Sequence, residues 1–232
     1  MPTPTPEQQR RARIFGVLFA LTIVTSVVAL LLYDPILNDT DYILGEGDDA
    51  RIQLGALFEI FLAITNIGTA VVIWPIVRRQ SETLALSYVA SRVVESTFIV
   101  IGVISLLSVV TLREDLAGGG ADSGALEIAG QSLVALHDMT FLIGPSFCVG
   151  VNGLVLGYLF YKSGIVPPRL AIFGVIGGPL IFASSIAILF GAYEQTGGVG
   201  FLFAIPEIIF EVGITIYTIW KGFRPSPILS PA

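Results

Sequence analysis

A single cysteine, Cys148, and a single histidine, His137, occur in the 232 residues. The first excludes an internal disulfide framework and any Cys-clustered zinc or iron–sulfur site, and the second excludes every chemistry that needs two imidazoles. Charge is scarce as well. Asp, Glu, Lys and Arg make up 13% of the chain, about half of the roughly 25% found in ordinary soluble domains. With 54% hydrophobic residues and a mean hydropathy of +0.84, such a chain could not keep its surface in water. No hydrophilic stretch is long enough for a separate soluble catalytic domain. The class that survives is an integral membrane protein.

A helix needs about 20 mostly apolar residues to cross the hydrocarbon core. Six stretches qualify: Ile14 to Tyr33, Ile52 to Val77, Thr83 to Val110, Leu133 to Tyr161, Leu170 to Gly191 and Phe201 to Trp220. The first is too long for a signal-peptide core and lacks a small-residue cleavage site, so it reads as a mature helix. The fold expected is an all-α membrane protein, a six-transmembrane-helix bundle in one domain over residues 14–224. Thr-Pro alternation and the proline-rich end predict disordered tails at 1–13 and 225–232, and Gly118-Gly119-Gly120 predicts a flexible linker.

Basic residues set orientation, because Lys and Arg in short loops stay cytoplasmic. With the N-terminus inside, Arg10, Arg11, Arg13, Arg78, Arg79, Lys162, Arg169, Lys221 and Arg224 are inner, against Arg51 and Arg113 outer. Nine against two predicts a multi-pass protein of the cell membrane with both termini cytoplasmic. Acidic residues sort the other way. Asp34, Asp39, Asp41, Glu46, Asp48 and Asp49 crowd the first outer loop. Trp74, Trp220, Tyr88, Tyr158 and Tyr161 fall near the inner boundary and Tyr33 and Tyr193 near the outer one, as interfacial anchors do.

Ionisable residues inside the spans are the informative ones: Glu59, Arg92, Glu95, His137, Asp138, Glu207 and Glu211. A central Asp, Lys or Arg costs about 2.5–3.5 kcal/mol on the insertion scale, so these groups must face one another, water or a ligand. Glu207 and Glu211 lie four apart and share a helix face with Thr215 and Thr218. Glu59 and Asn66 are seven apart, as are Asp138, Pro145 and Asn152, and Arg92 and Glu95 are three apart. The economical arrangement turns these edges inward around an acidic cleft open to the outside. Five carboxyls then face one permanent cation, Arg92. Protons on several carboxyls, or a bound cation, must balance the difference.

The spacing leaves rival readings open. The same network could serve only to fix helix register, with Asn66 and Asn152 as interhelical hydrogen bonds. His137 and Asp138 could act with a glutamate as acid–base groups or metal ligands in an intramembrane enzyme, although a lone His beside an Asp more often borders a helix. Gly153–Gly157, Gly174–Gly178 and Ala183–Ala187–Gly191 read as close-packing faces. Pro145, Pro179 and Pro206 can free backbone carbonyls near the polar residues. The Thr196–Gly200 loop is too short for a potassium filter, the Asp39/Asp41 cluster lacks an EF-hand's glycine and terminal glutamate, Ser146 has no mark of a nucleophile, and no phosphate loop or basic nucleic-acid patch occurs.

Several blocks resemble a known family. They are Arg92-Val-Val-Glu95, Leu136-His-Asp-Met-Thr-Phe-Leu-Ile-Gly-Pro-Ser-Phe147, Val151-Asn-Gly153, Gly157-Tyr-Leu, Gly164-Ile-Val-Pro-Pro-Arg169, Gly177-Gly178-Pro179, and Glu207 through Lys221-Gly222-Phe223. Together they resemble the prokaryotic membrane family called domain of unknown function 4386, over nearly the whole chain. The resemblance implies a bacterial or archaeal membrane protein of about six helices, and it implies no activity, cofactor or substrate. The function expected from the residues is binding or movement of a cation, proton or small polar solute, as in a transporter or sensor. Its candidate site is Glu59, Arg92, Glu95, His137, Asp138, Asn152, Glu207 and Glu211. The partners expected are the lipid bilayer and that ligand, with no nucleic acid. No cofactor is predicted beyond a bound cation, and catalytic and metal-ligating residues are not assigned.

Overall fold

A computed structural model describes residues 1–39, 42–45, 47–117, 122–195 and 197–230, the side chains of 115–117 excepted. The expectations for Asp41, Glu46, Thr196 and the triple glycine lie outside the described residues. Helices α1 (Pro6–Asn38), α2 (Asp49–Val77), α3 (Glu82–Ala117), α4 (Ser123–Phe141), α5 (Val149–Ser163), α6 (Pro168–Leu189) and α7 (Gly198–Trp220) account for most of the chain, and no strand occurs among the described residues. A π-helical turn, Leu142–Cys148, joins α4 to α5 into one span, so six helices are long and apolar enough to cross a membrane. The protein is a multi-pass membrane protein.

The spans run up and down, which puts both termini on one face, here the terminal face. The described parts of the connections, 39, 42–45, 47–48, 122, 190–195 and 197, lie on the opposite, loop face. Neighbours pack in the order α1, α2, α3, α4/α5, α6, α7, and α7 closes back on α1. Lipid tails are as apolar as Leu, so burial of apolar surface does little to join such helices, and close packing and polar contacts must do it. At α5 and α6 small residues supply the close approach. A Cβ on Gly157 would stand 2.7 Å from Val175 N, and one on Gly150 would stand 2.9 Å from Gly178 O. Gly153 and Gly177 serve another purpose, described below. Ala183 is exposed, so the expected small-residue face does not continue to Gly191, whose φ of 73° instead ends the helix.

Among the described residues of the two tails, 1–13 and 225–230, polar side chains satisfy backbone groups at the chain ends. Thr5 caps α1 by accepting from Gln8 N (3.3 Å) while Gln8 Oε1 accepts from Thr5 N (2.8 Å), and Pro6 starts the helix. The α1 helix therefore begins eight residues before Ile14. At the other end Ser226 N donates to Pro2 O (3.1 Å), Gln8 Nε2 to Leu229 O (3.1 Å) and Arg79 Nη1 to Ser230 O (2.7 Å). The two ends form a strap under the bundle.

Two apolar clusters leave a polar layer between them. Toward the terminal face Phe15, Phe19, Ile73, Tyr88, Phe160 and Phe210 interlock. Toward the loop face Tyr33, Ile36, Tyr42, Ile43, Ile52 and Leu106 do the same. Tyr33 and Tyr88 are fully buried in these clusters, which corrects their reading as interfacial anchors. Trp220, Tyr158 and Tyr161 remain on the surface.

Candidate functional site

Arg92 is the centre of the polar layer. Its place ten residues into α3 gives it four buried neighbours, and it is 3% exposed. Nη1 donates to Glu95 Oε2 (3.0 Å) and Asn66 Oδ1 (3.1 Å), and Nε donates to the Tyr88 hydroxyl (3.2 Å). The guanidinium carbon lies 5.1 Å from the Phe19 ring centroid and 5.5 Å from that of Tyr88, so aromatic faces shield the charge. Glu95 completes the cluster by accepting from Asn66 Nδ2 (3.0 Å) and Asn152 Nδ2 (2.6 Å). Four helices, α2, α3, α5 and, through Phe19, α1, are thereby tied at one depth. Asn66 and Asn152 are interhelical hydrogen bonds.

Beside this cluster lies a cavity of about 210 Å³ lined by Glu59, Asn66, Arg92, Glu95, His137 and Glu211, with Tyr33, Phe141, Pro145 and aliphatic side chains of α1 as its walls. Glu211 Oε1 is 4.0 Å from Arg92 Nη2. At the loop-side end of the cavity the Tyr33 hydroxyl faces the Glu59 carboxylate, and the Tyr33 ring meets the His137 ring edge-on at 5.9 Å. Tyr33 Oη, Glu59 Oε2 and His137 Nδ1 are all buried without completing a hydrogen bond. Such unpaired buried atoms are uncommon and each costs free energy.

Pro145 explains the shape of the wall. Its ring removes the N–H that Phe141 O would accept in a regular helix, and the chain widens to a π-turn in which Ser146 Oγ donates to Phe141 O (3.4 Å). Phe141, Pro145 and Val149 thereby line the cavity. Turns of this kind often occur at functional sites.

Two of the expected site residues lie elsewhere. Asp138 adjoins His137, its Oδ1 3.5 Å from His137 Nδ1, but its side chain is 56% exposed and lines a second cavity of about 300 Å³ at the loop face with Asp39, Tyr42 and Gln131. Glu207 is 2% exposed, with Oε2 unpartnered, and rests against Gly153 and Gly177, where a Cβ would occupy its carboxyl's place. It stands behind Glu211, one turn along α7, and does not line the cavity. Among the described residues no group of three or more His, Cys, Asp or Glu side chains could hold a metal ion.

Tyr33 and Tyr88 belong to the site and were not anticipated. Tyr88 could have been found from its spacing, since it sits four residues before Arg92 and so directly beneath it on α3. Tyr33 depends on Gly55 of α2, where a Cβ would stand 2.7 Å from its ring, a pairing that no local pattern shows.

At the loop face, Tyr42 donates to Asp49 Oδ1 (3.1 Å), and Arg113 Nη1 bridges to the same oxygen (2.9 Å) while its guanidinium carbon lies 5.3 Å from the Tyr42 ring centroid. Burial first, and the Asp49 carboxylate second, push the Tyr42 phenol up to about 12 from its ordinary value near 10.

Searches of the curated proteins and of the solved structures found no match to the chain. A family model does match, over residues 14–222 and so over all six spans. The chain belongs to the family described as Domain of unknown function (DUF4386).

Proposed function

We propose that this protein binds a small cationic or proton-coupled polar solute in the central acidic cavity, as a transporter or a sensor. One observation carries the reading. A single cavity within the membrane-spanning bundle brings together Glu59, Glu95 and Glu211 against one arginine, and leaves Tyr33, Glu59 and His137 with unsatisfied buried atoms. Glu95 already holds Arg92, so Glu59 and Glu211 are in excess. Their charge in a low-dielectric site must be met by protons or by a cation. A protonated amine suits the lining better than a bare metal ion, because the walls are aromatic and aliphatic and the carboxyls are too dispersed for a metal shell.

The nine basic residues at the terminal face argue for that face as cytoplasmic in the cell membrane, which makes the acidic loop face the outer one. The hydrophobic cluster and the strap of the two tails close the terminal side, so access in this state is from the outer half. The enzyme reading built on His137, Asp138 and a glutamate is less favoured, because Asp138, although it adjoins His137, lines a different cavity from the one that His137 and Glu59 share.

Calorimetric binding of ammonium, methylammonium, choline, sodium and potassium ions to the protein in lipid nanodiscs tests the reading. Saturable binding of at least one, stronger at higher pH and lost in Glu59→Gln and Glu211→Gln with helicity intact, is the expected result. No binding of any of them between acid and alkaline pH, or unchanged binding in both variants, would overturn it.

A further inference from the structure

Two cavities approach each other at one side chain. Asp138 lines the loop-face cavity, and its Oδ1 is 3.5 Å from His137 Nδ1. His137 is 5% exposed and lines the central cavity. It also lines a third space of about 10 Å³ with Glu59, Gly102, Thr140, Phe141 and Pro145, the size at which a single water begins to fit. An acid thus stands on each side of one buried imidazole, with room for one water on the inner side.

The surroundings leave the imidazole free for this use. From α1 the Tyr33 ring packs edge-on against it, from α2 Glu59 shares both inner cavities with it, and from its own helix Asp138 adjoins it. From α3 its neighbour is Gly102, where a Cβ would stand 3.2 Å from His137 Cδ2 and 2.8 Å from Thr140 Oγ1, so the glycine makes room for the ring. The charged groups of α3, Arg92 and Glu95, lie two turns or more further along the helix, roughly 10 Å from Gly102. Thr140 Oγ1 is occupied by His137 O (2.7 Å) and offers no rival route.

We infer that His137 is a proton relay between the loop-face cavity and the central cavity, with Asp138 as the outer acid and Glu59 as the inner acceptor. The proton on the Asp138 carboxyl passes to Nδ1 of an imidazole that begins as its Nε2–H tautomer, leaving a carboxylate and an imidazolium. The imidazolium gives its Nε2 proton to the water, which hands one of its own protons to the Glu59 carboxylate. One proton has moved from Asp138 to Glu59, and the ring is left as the Nδ1–H tautomer. A ring turn that brings the Nδ1–H to the inner side and the bare Nε2 toward Asp138, which takes a new proton from water in the loop-face cavity, readies the next passage. Asp138 and His137 therefore set how fast the central site takes up protons and leave its equilibrium nearly unchanged.

The relay rests on the reading of the central cavity as a proton-linked site, and kinetics separate the two. Protein in nanodiscs is subjected to a pH jump, and uptake is followed by rapid-scan infrared absorption of protonated carboxyl groups, with Glu59→Gln identifying the Glu59 contribution. Asp138→Asn, at an exposed position, and His137→Gln are expected to slow that contribution about tenfold or more with its final amplitude retained. Wild-type rates in both variants would overturn the relay and leave the cavity reading standing. A wild-type protein whose carboxyl band does not change with pH would overturn both. Gly102→Ala, which crowds the ring without removing an acid, is expected to slow uptake in the same way.

Discussion

Glu95→Gln and Glu207→Gln remove the same charge from two carboxyls that are almost equally buried, 4% and 2% exposed, yet the structure assigns them very different costs. Glu95 accepts from Arg92, Asn66 and Asn152. An amide keeps one acceptor oxygen and turns an NH2 group toward a donor. The Asn152 amide can relieve part of that conflict, since its Oδ1 is unpartnered and can rotate to accept from the new group. Arg92 is left with the more distant Glu211 carboxylate, 4.0 Å away, as its counter-ion. Unpairing a buried charge costs about 3–5 kcal/mol, and the Asn152 rotation puts Glu95→Gln at the lower end, about 3 kcal/mol. That is a change of roughly a hundredfold or more in the unfolding equilibrium. Glu207→Gln replaces a group whose buried oxygen already lacks a partner, so its cost stays under about 1 kcal/mol. Equilibrium unfolding in mixed detergent micelles, followed by circular dichroism, measures both. Equal costs, or a larger cost for Glu207→Gln, would refute the assignment of Glu95 as the carboxylate that holds Arg92.

Gly177→Ala drives a methyl group toward Glu207 N and Oε2, at 2.5 and 2.7 Å, and is expected to destabilise by about 1–3 kcal/mol; Gly198→Ala, where nothing lies within 4 Å, changes unfolding by less than about 0.5 kcal/mol. The Tyr42 phenol, raised to about 12 by burial and Asp49, ionises later in the folded protein than in the unfolded chain. Its share of stability is therefore full below about pH 10 and lost as pH rises toward 12, and the stability difference between the wild type and Tyr42→Phe should be constant below about pH 10 and shrink across that window. Cysteine labelling at Thr3 and Ser230, in a Cys148→Ser background, should place both ends on the cytoplasmic side; one end labelled from outside would refute the orientation.

What could be read in advance follows from the range of each interaction. Six spans and the inward set of Glu59, Arg92, Glu95 and Glu211 were legible because apolar run length and helical spacing are local. The starts of α1 at Pro6 and of α4 at Ser123 were not, since polar caps at Thr5 and Asp122 extend both helices beyond their apolar runs. Contacts of the described tail residues join positions more than 200 apart in sequence, such as Gln8 to Leu229, and no local pattern shows them. Spacing alone could not separate Asp138 from His137, since only the helix's rotation turns Asp138 to the loop-face cavity and His137 to the central one. Spacing put Glu207 and Glu211 on one face, but only the glycines of α5 and α6 decide which of them reaches the cavity.

Charge balance in the cavity is the centre of the account, and proton release on cation binding measures it most directly. In weakly buffered nanodiscs, adding the tightest-binding small cation should release protons in proportion to its occupancy, with release lost in the Glu59→Gln, Glu211→Gln double variant. Binding without proton release at any pH, or release unchanged in the double variant, would contradict it.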